Sequence, residues 1–275
     1  MKTPEQLKGA VRNIAKNNNL FPQEVLQMFF FERFLERLSV SEYKDNFILK
    51  GGLLISSMIG IKERTTMDMD TTVRGIPMEE TTIKDILSID VGDQIKFELI
   101  RMEPIREIDA YNNFRVHLQV VYGKVNNPMK IDITTGDKIT PAAIEYSYQM
   151  MFEKKTIPVM AYTLETIIAE KYETIIRRNI GTTRARDFYD LYVLFKSRRK
   201  EIRREILKLA VECTSEKRNS IEVLKDYIEI CDELRHDDSV RMLWTNYAKE
   251  NSYAQHLIYE EIIDNVLAVG NFIYK

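Results

Sequence analysis

Apolar residues recur along this chain in two rhythms. Val25, Leu26, Phe29, Phe30, Phe34, Leu35 and Leu38 fall three or four apart, the spacing of one helical face, and Pro22 stands where a first helical turn tolerates it. Asn17-Asn18-Asn19 marks a break ahead of that stripe, so residues 1–40 read as a helical lead-in. From Phe47 to about Phe152 the rhythm shortens. Phe47–Lys50, Met67–Val73, Lys96–Met102, Arg115–Tyr122 and Met129–Thr134 are the expected strands, with helices at Leu53–Met58 and Met78–Leu87 between them. Gly123 and Asn126-Asn127-Pro128 punctuate the last two strands as a hairpin. From Thr163 onward the helical period returns, with Thr163, Ser215 and Ser239 as expected caps. The pattern predicts an α+β fold in two parts. Residues 1–155 form a mixed-sheet module with flanking helices behind the lead-in, and residues 156–275 form a helical C-terminal domain.

Composition narrows the function classes. No apolar run approaches the roughly 18–20 residues that span a bilayer, and the burst Met28–Phe31 stops at Glu32 and Arg33, too short for a signal peptide. Cys213 and Cys231 are the only cysteines and have no metal-ligand spacing, which points to a reducing compartment without disulfides. His117, His236 and His256 are scattered and give little to a zinc site or a Ser-His-Asp triad. The expectation is a cytoplasmic protein with no membrane partner. The net charge of −2 hides a local excess: Lys171 to Lys208 holds twelve Lys/Arg against five Asp/Glu. That segment is either a solvated helix face or a surface for a polyanion such as RNA or a triphosphate.

The candidate chemistry is concentrated in KGGLLISSMIGIKERTTMDMD, Lys50–Asp70. On a strand, residues i and i+2 share a face, so Asp68 and Asp70 project together while Met67, Met69 and Val73 turn toward a core. Two adjacent carboxylates repel unless a cation lies between them, which suggests a Mg²⁺ site that also holds nucleotide phosphates. Asp132 in MKIDITTGD shares the polar face of its strand with Lys130 and Thr134, opposite Ile131 and Ile133. It is either a third ligand, completing a site for two Mg²⁺, or an edge-strand surface residue. Gly51-Gly52 opens a helix after a strand and lets backbone N–H groups approach a phosphate, though a glycine pair is more often a plain turn. With no G-K-[ST] and no second glycine-rich element, P-loop and Rossmann readings fail.

Two helical segments add charge where apolar residues are expected. Lys171 falls within the stripe formed by Leu164, Ile167, Ile168, Ile175 and Ile176, so it must meet an anion or snorkel outward. In TTRARDFYDLYVLF, Arg184 falls in the stripe of Phe188, Leu191, Tyr192 and Phe195. Asp187 borders that stripe, and Asp190 falls on the opposite side of the wheel. Arg184 and Asp187 could simply pair with each other. The functional alternative turns Asp187 or Asp190 toward a metal and Arg184 or Arg186 toward phosphate.

Taken together, KGG…RTTMDMD at 50–70, the hydrophobic-Asp strand at Ile131–Ile133, AEKY at Ala169–Tyr172 and RARDFYD at Arg184–Asp190 resemble, in order, the AbiEii/AbiGii family of nucleotidyltransferase toxins. That family is a branch of the polymerase-β-like fold, and the blocks span residues 50–190. The resemblance implies Mg²⁺-dependent, pyrophosphate-releasing nucleotidyl transfer from an NTP, with Asp68 and Asp70 on metal and Asp132 as third ligand. It implies Gly51, Gly52, Arg64, Thr66 and Arg184 at the nucleotide and Lys171 on the triphosphate, with Asp187 or Asp190 completing the site or acting as base. It further implies a toxin of a toxin–antitoxin or phage abortive-infection system, with a cognate antitoxin. The expected acceptor is RNA, a tRNA 3′ end. One departure is that many polymerase-β-like enzymes carry Gly-Ser where this chain has Gly51-Gly52. The alternatives are nucleotidyl transfer to a protein or small molecule, or a non-catalytic nucleotide-binding module.

Overall fold

The computed structural model describes residues 3–105 and 113–275. The chain forms two compact units: 1–137 with 143–161, and 138–142 with 162–275.

In the first unit, helices α1 (Pro4–Asn18) and α2 (Pro22–Ser39) lead into β1 (Phe47–Lys50), α3 (Gly51–Ile59), β2 (Met69–Val73) and α4 (Glu80–Ser88). Strands β3 (Lys96–Ile105), β4 (Asn113–Tyr122), β5 (Val125–Thr135), β6 (Ile144–Gln149) and β7 (Thr156–Ala161) follow. The described strands form one mixed sheet in the order β3-β4-β5-β2-β1-β7-β6. The last two strands have no counterpart in the sequence reading, and β7 lies beyond the boundary drawn at 155/156. The β4–β5 hairpin closes at Gly123-Lys124, as Gly123 indicates, whereas Asn126-Asn127-Pro128 lies within β5. Asn127 is a buried strand residue instead, donating to Gln27 and accepting from Gln23, both at 2.8 Å, which fastens α2 to the sheet.

Asn19 takes a left-handed φ of 55° and ends α1, and the Glu24 carboxylate accepts the Phe21 N–H at 2.9 Å to start α2. Helix α2 is buried on nearly every side, so its charged residues come inside with its phenylalanines. Arg37 makes a two-pronged pair with Asp93 at 2.6 and 3.0 Å, and Arg33 bridges Glu36 and Glu153 at 3.1 and 3.3 Å. Glu32 accepts the Met151 N–H at 2.6 Å, and burial pushes its carboxyl up to about 8.

The second unit is helical: α5 (Leu164–Arg178), α6 (Ala185–Ser197), α7 (Arg204–Lys217), α8 (Ile221–Lys225), α9 (Tyr227–His236), α10 (Asp238–Glu250) and α11 (Tyr259–Tyr274). Thr163 caps α5 through the Thr166 N–H at 3.1 Å. Ser215 and Ser239 do not cap: each lies inside a helix, and Asp237 caps α10 through the Val240 N–H at 2.9 Å. Fully buried Glu173 ties α5 to the start of α8, accepting from Arg177 (2.7 Å), Arg218 (2.6 Å) and Ser220 (2.8 Å). No helix among the described residues is long and apolar enough to cross a membrane.

Candidate active site

Register gathers the charges of the first unit. Lys50 on β1 faces Asp70 on β2, Asp70 faces Asp132 on β5, and Asp132 faces Arg115 on β4. Directly opposed residues share a face of the sheet, so the four make one row: cation, carboxylate, carboxylate, cation. The flanking cations are committed. Lys50 Nζ donates to Asp137 at 2.6 Å and to Thr134 at 2.7 Å, while the Arg115 guanidinium grips both oxygens of Asp132 at 2.7 Å each. That grip lifts the arginine further above its already high pKa, and the charge of Asp68 adds to the effect.

Asp68 lies in a bend immediately before β2 rather than on the strand. Thr66 shapes this bend, its hydroxyl donating to the Asp68 carbonyl at 2.9 Å and accepting the Asp68 N–H at 3.3 Å. Strand alternation therefore begins at Met69. Met67 is 42% exposed and does not join the core as the period-2 reading had it. Asp68 and Asp70 are both half-buried.

The two glycines make room for this segment. Gly51 has φ +65°, and a Cβ there would stand 2.1 Å from Asp70 Oδ2 and 2.7 Å from its Cγ. A Cβ on Gly52 would stand 2.8 Å from Thr66 Oγ1 and 3.0 Å from Arg64 Nη2. The Gly-Gly and RTTMDMD motifs are thus two sides of one contact, in which the first residue of α3 lies against the Asp70 carboxylate. A helix start favours a carboxylate there. Arg64 is 1% exposed, and its carbonyl accepts from Ser56 at 2.6 Å. It braces the turn from inside.

Among the described residues no group of three or more His, Cys, Asp or Glu is gathered to hold a metal. The donors nonetheless suit a hard divalent cation. Asp68 and Asp70 offer only carboxylate oxygen, and the cradle at Gly51 is one that any Cβ would fill; Asp132, expected as a third ligand, has both oxygens on Arg115 instead.

In the second unit Lys171 is held by two carboxylates, at 2.5 Å from Asp187 and 2.9 Å from Asp190. Burial pulls the ammonium's pKa down, and the two aspartates more than reverse that, leaving it above the ordinary lysine range. Asp190 is fully buried rather than on an open side of α6. The wheel reading assumed one buried face, but the first two turns of α6 are enclosed nearly all round, with Tyr189 against Tyr247 and Tyr253 on another side. Arg184 is not in the buried stripe either: it is the exposed residue before α6, and Asp187 pairs with Lys171 instead. Arg186 is exposed.

Lys50, Arg115 and Asp137 escaped the sequence reading. Their importance depends on which strands pair and in what register, and the only local hint is that Lys50 directly precedes the glycines.

No curated protein matches the chain. The fold is similar to JHP933 from Helicobacter pylori (14% identity, TM-score 0.51, covering 91% of this chain and 93% of that one). It is also similar to an H. pylori protein described provisionally as a nucleotidyltransferase (15% identity, TM-score 0.52, covering 92% and 97%). The family model for the nucleotidyl transferase AbiEii toxin of type IV toxin–antitoxin systems matches residues 33–268. Most of the chain lies within that match, and the fold is of the nucleotidyltransferase kind, so this protein belongs to the AbiEii nucleotidyltransferase toxin family.

Proposed function

We propose that this nucleotidyltransferase moves a nucleoside monophosphate from an NTP to RNA, at a tRNA 3′ acceptor end, using Mg²⁺ held by Asp68 and Asp70, and that a cognate antitoxin restrains it. The observation that carries the reading is the carboxylate pair against the glycine cradle, with Asp70 level with Asp132 and a cation at each end of the row. Mg²⁺ bound there would lower the pKa of the attacking hydroxyl and offset charge on the departing pyrophosphate.

The chain supplies the rest. Thr66 and the glycine turn fix the two carboxylates before substrate arrives, so little reorganisation is left for the reaction. The absence of side chains on Gly51 and Gly52 lets Asp70, Thr66 and Arg64 pack against the start of α3, where the backbone N–H groups favour negative charge. Lys50 and Arg115, one at each end of the row, limit its self-repulsion. In the second unit Lys171 is assigned to the triphosphate. Asp187 and Asp190 keep it charged and hold it in place, and either could take a proton if released from it.

The test is transfer of label from each of four α-labelled NTPs to total tRNA with Mg²⁺, alongside Asp70→Asn. Labelled tRNA from the wild type only supports the reading and reports the base preference. Label on protein or small molecules retains the chemistry and moves the acceptor. Tight NTP binding without transfer would make this a binding module.

A further inference from the structure

From Lys196 to Lys208 the second unit carries seven Lys/Arg and two acidic residues, in a chain of net charge −2. The segment runs from the end of α6 through a short connection into α7. Lys196, Arg199, Lys200, Arg203, Arg204 and Lys208 are exposed. Internal pairing accounts for little of this charge. Arg198 meets Glu201 at 2.8 Å and Arg203 meets Glu165 at 3.5 Å, while Lys200, Arg204 and Lys208 have no ion pair among the described residues. Helix stability does not ask for it either. Arg203 and Arg204 stand at the start of α7, the end where the helix dipole disfavours cations.

Aromatic rings hold two of these cations. The Arg199 guanidinium lies 3.5 Å from the ring centre of Phe272 and 5.0 Å from that of Phe195, and Lys196 lies 5.5 Å from that of Tyr192. Tyr192 and Phe272 are half-buried, so each keeps some surface beside the charges. Cations interleaved with partly open rings match a polymer of phosphates and stacking bases. Lysine supplies three of the seven charges, whereas protein–protein interfaces are depleted in lysine.

We propose that the Lys196–Lys208 ridge binds the phosphodiester backbone of the RNA acceptor, an inference that rests on the RNA-acceptor reading above. The experiment measures binding of labelled total tRNA to the full chain, without NTP, from about 50 to 300 mM salt. It compares the wild type, Lys200→Glu/Arg204→Glu/Lys208→Glu, and a control with the same charge change on exposed residues of the first unit, Lys8→Glu/Lys16→Glu/Lys44→Glu. Matching thermal unfolding of the three proteins establishes that all are folded. If the reading holds, the ridge variant binds at least about tenfold more weakly, and its slope of log K against log salt is shallower by about 2, from some 0.7–0.9 per lost phosphate contact. The control then stays within about twofold of the wild type. Equal losses in both variants would reduce the effect to net charge and overturn the ridge. Unchanged binding by the ridge variant would overturn it while leaving the acceptor reading intact. A wild type that binds no RNA would remove both. A wild type preferring polyglutamate to RNA would assign the ridge to an acidic protein and overturn the proposal.

Discussion

Asp68 with Asp70, and Asp187 with Asp190, are two pairs of carboxylates close in sequence, and the two units treat them oppositely. The first pair is half-buried at the edge of a bend, and the cations of its row bond Asp137, Thr134 and Asp132. The second pair closes on a single lysine, with Asp190 fully buried. A carboxylate pair that shares a buried ammonium is largely satisfied within the protein, and removing one member harms the fold. A half-buried pair at a bend is instead within reach of an external cation, the role proposed above for Asp68 and Asp70. On the proposed reading the first pair is kept for a cation, while the second holds Lys171 in place and charged.

The contrast breaks most visibly with Asp70→Asn. It is expected to lower nucleotidyl transfer by about 10³-fold or more, equivalent to several kcal/mol of barrier, while the urea midpoint barely moves. Lost folding with the activity would give Asp70 a structural role. Asp190→Asn should show the reverse emphasis in the same urea titration, with a loss of about 3 kcal/mol. That figure is at the low end for a broken buried pair because Asp187 still holds Lys171, and an unchanged midpoint would dissolve the comparison.

Glu32 sharpens the contrast as a buried carboxyl without a closing lysine. It titrates at about 8 in the folded chain against an ordinary 4.5, so the unfolded chain ionises first. Its stabilising contribution is full below about pH 4.5 and is lost as pH rises toward 8, with a slope approaching about 1.4 kcal/mol per pH unit. Glu32→Gln should flatten that slope in urea titrations between pH 5 and 8, and an unaltered slope would place the proton elsewhere. The smallest effect belongs to Arg115→Met. Freeing Asp132 beside Asp70 should tighten Mn²⁺ binding, read by calorimetry, by about threefold to tenfold. Weaker binding would make Arg115 a support for the carboxylates.

The sequence reached much of this because several signals are local. RTTMDMD, the glycines and Lys171 within an apolar stripe each stand within one segment, and the four blocks appear in family order. What it could not reach is set by contacts distant along the chain. Arg115 stands on a strand of its own, and nothing within MKIDITTGD indicates that Asp132 will face it. The burial of Asp190 is not legible from its place on the wheel, because a helix enclosed on several sides has no single polar face to read. Strand β7 carries Pro158, which weakens a strand signal, and β6 is a short alternation of Ile144, Tyr146 and Tyr148 with Glu145, Ser147 and Gln149 that only its pairing with β7 identifies as part of the sheet.

The cross-strand row has a consequence for how the protein is made. Asp70 and Asp132 stand 62 residues apart in sequence and become neighbours only when β2 and β5 pair in parallel. Such pairing has high contact order, which slows folding, and requires β5 to have left the ribosome. A growing chain that has already displayed RTTMDMD therefore still lacks the complete row. For a toxin, topology imposes a delay: the full charged centre exists only in a molecule whose sheet is finished.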